Sequence, residues 1–230
     1  MINNLFDLKT GFAEVDKLIT EYRGLSMISH SNSMIVLKGT IHVNLNWFRP
    51  DNKNMSFTLC KDYKISVKIP INSPDLPTVT NDGKEIHFGY PHIYPNRDLC
   101  LDTDSAIRIR FINGFSLVDW MKEYVEPYFY SYEYFQKYHT YPFGQRSHNY
   151  EGVLEYYKEL WNVTSKQATR NLMQYVAKKK YKGHNPCPCG SGKKLRYCHG
   201  SKIYNFMAKS ELREIVRNDL EKERKTKNEF

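Results

Sequence analysis

Three cysteines and a histidine are crowded into a short stretch near the C-terminus of this 230-residue chain. In HNPCPCGSGKKLRYCHG (184–200), one residue separates the first two cysteines, and an adjacent Cys-His pair follows after eight intervening residues. Three thiolates and an imidazole make a closed tetrahedral ligand set of the kind that holds structural zinc. The predicted metal ligands are Cys187, Cys189, Cys198 and His199.

A second stretch, PHIYPNRDLCLDTD (91–104), places a cysteine where it could act as a nucleophile. A cysteine that carries an acyl group needs access, a partly ionised sulfur and donors for the oxyanion. His92 lies eight residues before Cys100 and Asn96 lies four before it, and the backbone amides of 97–99 are further candidate donors. Because leucines flank Cys100 on both sides, a buried strand position is the structural alternative.

A structural role, not a chemical one, is predicted for two further residues. Cys60 lies in MSFTLCKDYKISVKIP (55–70), and a packed core thiol is its predicted role. His148 stands near a helix start, where capping or packing is favoured over chemistry.

The elements that must position these residues follow from hydrophobic periodicity. The pattern predicts an N-terminal helix, two long strands with one buried face, a proline-rich loop, a short strand at EIHF and then helices. Ser116 should cap the helix predicted at 116–138, and Pro127 should break that helix. The predicted bounds are helices at 4–23, 116–138, about 150–161 and about 164–181, strands at 33–48, 55–70 and 85–88, a polar turn at 49–54, and a final amphipathic helix.

Composition and charge narrow the function classes. No apolar run approaches the roughly 20 residues of a membrane span, and the N-terminus lacks a secretory pattern, so we expect a cytoplasmic protein without membrane contact. Residues 160–230 hold 17 Lys/Arg against 6 Asp/Glu, whereas residues 1–159 hold 17 against 19. This basic C-terminal third is either a solvated helical face or a binding surface for nucleic acid or an acidic protein.

The cysteine-rich stretch resembles the SEC-C motif, the metal-binding tail of the bacterial preprotein translocase ATPase and of many other bacterial proteins. NPCPCGSGKK followed by a Cys-His pair fits that motif position by position. The resemblance implies bound structural zinc and a role in docking to partners.

The order of elements around Cys100 resembles the ubiquitin-conjugating (UBC-like) fold. In that family a proline-rich loop follows a strand meander and precedes a His-Pro-Asn motif, and the nucleophile lies in a CLD sequence. Here SPDLPTV (73–79) stands at the loop, and residues 100–102 read CLD. The family asparagine normally lies about eight residues before the cysteine. In this chain His92 lies at that spacing, as a histidine does in divergent bacterial members of the family. Asn96 lies only four residues before the cysteine and does not match the family position.

This second resemblance implies an α+β fold and a thioester mechanism. Cys100 would take the C-terminus of a ubiquitin-like protein or a partner enzyme from an activating enzyme or other acyl donor, and pass it to a lysine, with His92 as oxyanion donor or base. In some antiphage (CBASS) operons such proteins accompany a cyclic-nucleotide synthase and act on its C-terminus. The implied division is a UBC-like domain at 1–160, a basic helical linker at 161–183, the knuckle at 184–201 and a basic helix at 202–230.

Two functions from other classes stay open on the sequence. A non-catalytic adaptor would bind partners through the knuckle and the basic tail. A cysteine hydrolase would use Cys100 with His92 or His148 to cleave an acyl bond, which requires a base within hydrogen-bond reach of the sulfur.

Overall fold

A computed structural model of the chain describes residues 4–47 and 57–228, and the predicted polar turn at 49–54 lies outside them. The fold is mixed α+β with one four-stranded antiparallel sheet. None of the described helices is long and apolar enough to cross a bilayer. The elements are α1 (Leu8–Glu21), β1 (Leu25–His30), β2 (Met34–Trp47), β3 (Phe57–Pro70), β4 (Thr78–Asn81), α2 (Asp104–Arg110), α3 (Leu117–Trp120), α4 (Glu126–Tyr138), α5 (Asn149–Trp161), α6 (Lys166–Lys178), α7 (Gly200–Ala208) and α8 (Ser210–Asn228).

The chain folds into two compact units. Of the described residues, the sheet unit comprises 4–47, 57–102 and 114–145, and the helical unit comprises 103–113 and 146–228. This division differs from the predicted one, because α5 and α6 bury apolar side chains in the core of the helical unit. Residues 161–183 are therefore mostly a packed helix, not a linker.

In the sheet unit, four strands form a simple meander in the order β1-β2-β3-β4. Side chains alternate across the sheet, so that Ile35, Leu37 and Ile41 are buried while their neighbours on the strand face the other side. The buried face packs against α4, where the Phe129 ring stacks on Tyr63 at 4.0 Å. Asp7 begins α1 with a capping box to Thr10.

Several predictions for this unit need correction. β1 was missed, and β4 lies inside the predicted proline-rich loop, whereas 85–88 is not a strand. Cys60 is exposed, because its position in β3 falls on the face opposite to Leu59, which is buried. The core prediction for Cys60 is wrong, because strand alternation back from the buried Ile65 places position 60 on the exposed face.

The helix predicted at 116–138 is present and begins at the Ser116 cap, whose hydroxyl accepts from Asp119 N at 3.2 Å. A π-helical turn, Met121–Val125, joins α3 to α4. Pro127 lies in the first turn of α4, where its missing N–H costs little, so it starts a helical segment directly after the irregular turn. The helix therefore continues through Pro127 and does not break there, and its irregular part is the π turn that precedes the proline.

In the helical unit, α5 to α8 enclose a core of aliphatic and aromatic side chains. The predicted single C-terminal helix is two helices, α7 and α8, because Lys209 between them adopts an extended backbone. Both bury apolar residues in the same core: Ile203 and Phe206 from α7, and Leu212, Ile215, Val216 and Leu220 from α8. Two side chains from the knuckle, Cys187 and Leu195, are buried there as well.

The acidic side chain of Asp219 is buried in the helical unit, and it leads to a pH-dependent prediction. Asp219 accepts from Ser105 Oγ at 2.6 Å and from Tyr157 Oη at 2.9 Å, and burial raises the pKa of this carboxyl. With a folded pKa above the unfolded value of about 3.9, its contribution to stability is full below that value and is lost as pH rises through the folded pKa.

We therefore expect the free energy of unfolding of the wild type to fall relative to Asp219→Asn as pH rises from about 4 towards 7, by at most about 1.4 kcal/mol per pH unit for one proton. Urea denaturation across that range measures the difference. Glu21→Gln, which removes an exposed carboxyl paired with Lys122 in the sheet unit, is the matched charge control. Parallel curves for wild type and Asp219→Asn would contradict the prediction.

Candidate functional site

Cys100 lies on an extended segment of the sheet unit. Leu99 is buried and donates its amide to Val79 O on β4 at 2.8 Å, which ties the segment to the sheet. Cys100, the next residue, is half-exposed. The flanking leucine therefore faces the core while the thiol remains accessible, which favours the reactive reading of the sequence over a buried strand cysteine.

The loop before Cys100 is anchored by a buried asparagine and a cation. Asn81 is fully buried, and its Oδ1 accepts from Ile86 N at 3.1 Å and from Arg97 Nη2 at 3.0 Å. Arg97 also donates to the Asn81 and Ile86 carbonyls and stacks on the Phe88 ring at 4.8 Å. Its backbone is left-handed, with φ of +68°. These contacts fix the path of residues 81–99 and so position the thiol.

His92 lies beside Cys100. Its carbonyl accepts from Cys100 N at 2.9 Å and from Tyr128 Oη at 2.8 Å, and a ring nitrogen lies within 4.8 Å of the Cys100 sulfur. His92 Nε2 is 3.2 Å from Gln145 Nε2. Because an amide nitrogen only donates, this contact makes Nε2 the acceptor and places the proton of a neutral ring on Nδ1.

Two tyrosines hold the His92 ring edge-on. The centroids of Tyr90 and Tyr141 lie 5.5 Å from that of the imidazole, at 66° and 88° between planes. Burial raises the pKa values of both tyrosines, so their hydroxyls stay protonated at neutral pH. The His92 imidazole is therefore flanked by two uncharged tyrosine rings.

The other predicted donors are occupied. Asn96 Nδ2 donates to Asp98 Oδ2 at 2.8 Å, and Asn96 Oδ1 accepts from Asp98 N at 3.1 Å. The amides of Arg97 and Leu99 donate to Tyr94 O and Val79 O. Each of the amides of 97–99, which were candidate oxyanion donors, therefore already has a backbone or side-chain acceptor.

A tyrosine near the thiol was not predicted. Tyr94 Oη lies 3.4 Å from Cys100 Sγ, and the side chain is 52% exposed. Its spacing of six residues from the cysteine gave no signal in an irregular loop. His148, the other histidine considered for a hydrolase, occupies the N-cap position of α5 in the helical unit.

The knuckle brings all four predicted ligands together. Cys187, Cys189, Cys198 and His199 offer one atom each, and these atoms lie within 4.8 Å of one another. Neighbouring atoms are closer: 3.6 Å between the sulfurs of Cys189 and Cys198, and 3.2 Å between Cys198 Sγ and His199 Nδ1. Zn–S bonds of about 2.3 Å at tetrahedral angles place sulfurs about 3.8 Å apart. The donor set therefore fits a tetrahedral metal ion.

The backbone around the cluster explains the glycine spacing. Gly190 and Gly192 have φ of +84° and +74°, which side-chain-bearing residues rarely adopt. Cys187 N donates to Lys193 O at 2.8 Å, closing the turn between the two halves of the knuckle. Both glycines therefore serve as turn residues within the knuckle.

Residues 185–201 match the SEC-C motif. The knuckle is a SEC-C motif. The matched residues contain the Cys/His cluster and do not include the sheet unit or Cys100. The chain has no match among the curated proteins or the solved structures.

The thiols of the SEC-C motif differ in their ease of ionisation. Burial raises the pKa of Cys187 to about 12. Burial acts in the same direction on Cys189, but hydrogen bonds from Ser191 and the neighbouring thiols outweigh it and lower the pKa of Cys189 to about 6. Because thiolates are the ligands, a metal that binds here must displace the thiol protons, and the proton of Cys189 is held less tightly than that of Cys187.

Proposed function

We propose that the sheet unit is a UBC-like acyl carrier that forms a thioester on Cys100 and transfers the acyl group to an amine. The observation that carries the proposal is a half-exposed cysteine in a CLD sequence, placed directly after a four-stranded antiparallel meander, with a ring nitrogen of His92 within 4.8 Å. The element order and the anchored loop support the same reading.

In the proposed first step, the Cys100 thiolate attacks the activated carbonyl of a protein C-terminus. The new S–C bond forms as the bond to the donor's thiol or adenylate breaks, and that group leaves with the electron pair. In the second step a lysine amine attacks the thioester carbonyl. The C–S bond breaks, the thiolate of Cys100 leaves, and the amine proton passes to a base or to water.

His92 is the proposed oxyanion donor. The Nε2 contact with Gln145 leaves Nδ1–H as the donor of a neutral ring, and such a group lowers the energy of a tetrahedral intermediate without changing its own charge. The hydroxyl of Tyr94, beside the sulfur, is a second donor that the sequence did not indicate. The pKa of Tyr128 is raised by burial, so its hydroxyl remains a donor to the His92 carbonyl and holds the histidine in place.

We expect His92→Ala to slow transfer from a preformed Cys100 thioester to free lysine by about 100-fold, the usual loss when one oxyanion donor is removed. His92→Asn should retain most of the rate, because an amide nitrogen donates as the imidazole does but does not act as a base. Single-turnover loss of the thioester measures both rates. A low rate for both variants would assign His92 to base catalysis instead, and an unchanged rate for His92→Ala would remove it from the mechanism.

The SEC-C motif is proposed to hold one structural zinc ion. Cys187, Cys189, Cys198 and His199 would supply the four ligands, which leaves no open position for substrate. The ion would tie the knuckle to the core of the helical unit, where Cys187 and Leu195 are already buried.

The proposed biological setting is bacterial antiphage defence, with the C-terminus of a cyclic-nucleotide synthase as the acyl group. The test supplies an activating enzyme, ATP and the synthase to the full chain and looks by intact mass for an adduct that a thiol reagent removes. An adduct on the peptide containing Cys100 is expected. Its absence with every candidate protein C-terminus supplied would reject the carrier function, and steady cleavage of a preformed conjugate would favour the hydrolase.

A second candidate function, an adaptor, is favoured by the surface of the SEC-C motif. Tyr197 is 71% exposed, and the Arg196 guanidinium lies 4.7 Å from its ring centroid. Exposed lysines 193 and 194 adjoin this pair. A cationic surface with an exposed ring suits an acidic protein, and binding should then weaken steeply with salt. An adaptor would keep that binding in Cys100→Ala, and an equal affinity for Arg196→Ala would remove this surface from the interface.

A further inference from the structure

A second cysteine lies beside a histidine and an aspartate on the solvent-exposed face of the sheet. Cys60 Sγ lies 3.6 Å from His42 Nε2, and His42 Nδ1 lies 2.6 Å from Asp62 Oδ1. All three side chains are exposed. We infer that this Cys60–His42–Asp62 relay makes Cys60 a reactive thiol that exchanges with small disulfides and becomes reversibly capped.

The register of β2 and β3 builds the relay. His42 pairs directly with Asp62, and Asn44 pairs with Cys60, so the thiol is the diagonal neighbour of the imidazole on the same face. Diagonal partners across antiparallel strands are within reach of long or aromatic side chains. Both strands are long and continuous here, which fixes the three groups on one rigid ribbon.

The hydrogen-bond directions suit thiol activation. An ionised carboxylate only accepts, so Asp62 fixes the His42 proton on Nδ1 and leaves Nε2 to accept from the thiol. A base adjacent to a cysteine and oriented by a third group is the general arrangement of an activated sulfur nucleophile. The same geometry argues against a shared metal ion. Cys60 contacts Nε2 of His42 and Asp62 contacts Nδ1, so the two side chains lie on opposite sides of the ring and do not converge on one point.

The location selects disulfide exchange over acyl transfer. Backbone amides of a sheet lie in its plane, whereas the Cys60 side chain stands off its face, so strand amides do not point at a group bound to the sulfur. Acyl transfer needs such donors for its oxyanion, but attack on a disulfide spreads charge over sulfur atoms and needs none. An open face also admits a bulky disulfide.

In the proposed step, the Cys60 thiolate attacks one sulfur of glutathione disulfide. The bond between Cys60 and that sulfur forms, the S–S bond of the reagent breaks, and glutathione thiolate leaves and takes the proton held by His42. Glutathione disulfide is the oxidant. The electron pair of its broken S–S bond stays on the released glutathione thiolate, so the exchange is balanced. Excess glutathione reverses it.

The test treats the full chain, loaded with zinc, with glutathione disulfide at pH 6.5 and follows each cysteine by peptide mass. Cys60 is expected to form the mixed disulfide about five- to tenfold faster than a cysteine in an unstructured peptide, because His42 Nε2 lies within reach to accept the thiol proton as the sulfur attacks. Cys60→Ser should remove this adduct while other peptides are unchanged.

His42→Gln and Asp62→Asn should each lower the Cys60 rate to that of the peptide. Asp82→Asn is the matched control, since it removes one carboxylate paired with Lys38 at 3.1 Å and leaves His42 untouched. A Cys60 rate equal to that of the peptide would overturn the proposal, as would equal effects of Asp62→Asn and Asp82→Asn.

Discussion

Loss of Cys187 should abolish metal binding and destabilise the helical unit by several kcal/mol. Structural zinc contributes about 10–16 kcal/mol of binding free energy in zinc-finger peptides, which is comparable with the whole stability of a domain. Here the knuckle also contributes a side chain to the core: Leu195 is fully buried, and burial of such a side chain is worth about 1.5–3 kcal/mol. Opening the knuckle would expose it.

Metal analysis should find about one zinc per chain in the wild type and none in Cys187→Ser. Urea denaturation should show a lower midpoint for Cys187→Ser, and a chelator should shift the wild type to the same value. Cys60→Ser is the matched control, because that thiol is exposed on the sheet unit. An unchanged midpoint after the metal is removed would contradict a structural role for it.

Replacing Cys100 with alanine should abolish the proposed thioester completely, since no other atom at that position can form it. Cys100 is half-exposed and its side chain does not fill the core, so Cys100→Ala should fold as the wild type does. Cys100→Ser should instead give an oxyester of the same mass difference that resists thiol reagents, because a hydroxyl can accept the acyl group but an ester is not exchanged by thiols.

Intact mass after charging, with and without a thiol reagent, separates these variants. Cys60→Ala is the control here, and it should keep the thiol-sensitive adduct. An adduct of equal yield on Cys100→Ala would place the chemistry elsewhere in the chain and reject Cys100 as the carrier.

The metal ligands of the SEC-C motif are predictable from the sequence because they lie close together along the chain. Its four ligands lie within thirteen consecutive residues, 187–199, so short-range geometry and glycine turns are enough to bring them together. Helix patterns were similarly local, and α1, α5 and α6 were predicted within a few residues of their bounds.

Elements that depend on distant partners were missed. β4 has only four residues, and it is held by pairing with β3 and by the Arg97 contacts to Asn81. No periodicity is visible in so short a strand. The same reason explains why Tyr94 near Cys100 was not found, because loop positions are set by contacts far along the chain.

The sequence by itself determined the metal-ligand set, the long amphipathic helices and the alternation of β2 and β3, because each is a pattern within a few consecutive turns or residues. Only the tertiary structure decided that Cys60 is exposed beside His42 and Asp62, that the amides of 97–99 are occupied, and that α5 and α6 join the helical core. Strand register, loop anchoring and helix packing each join residues far apart in the chain, so no local pattern specifies them.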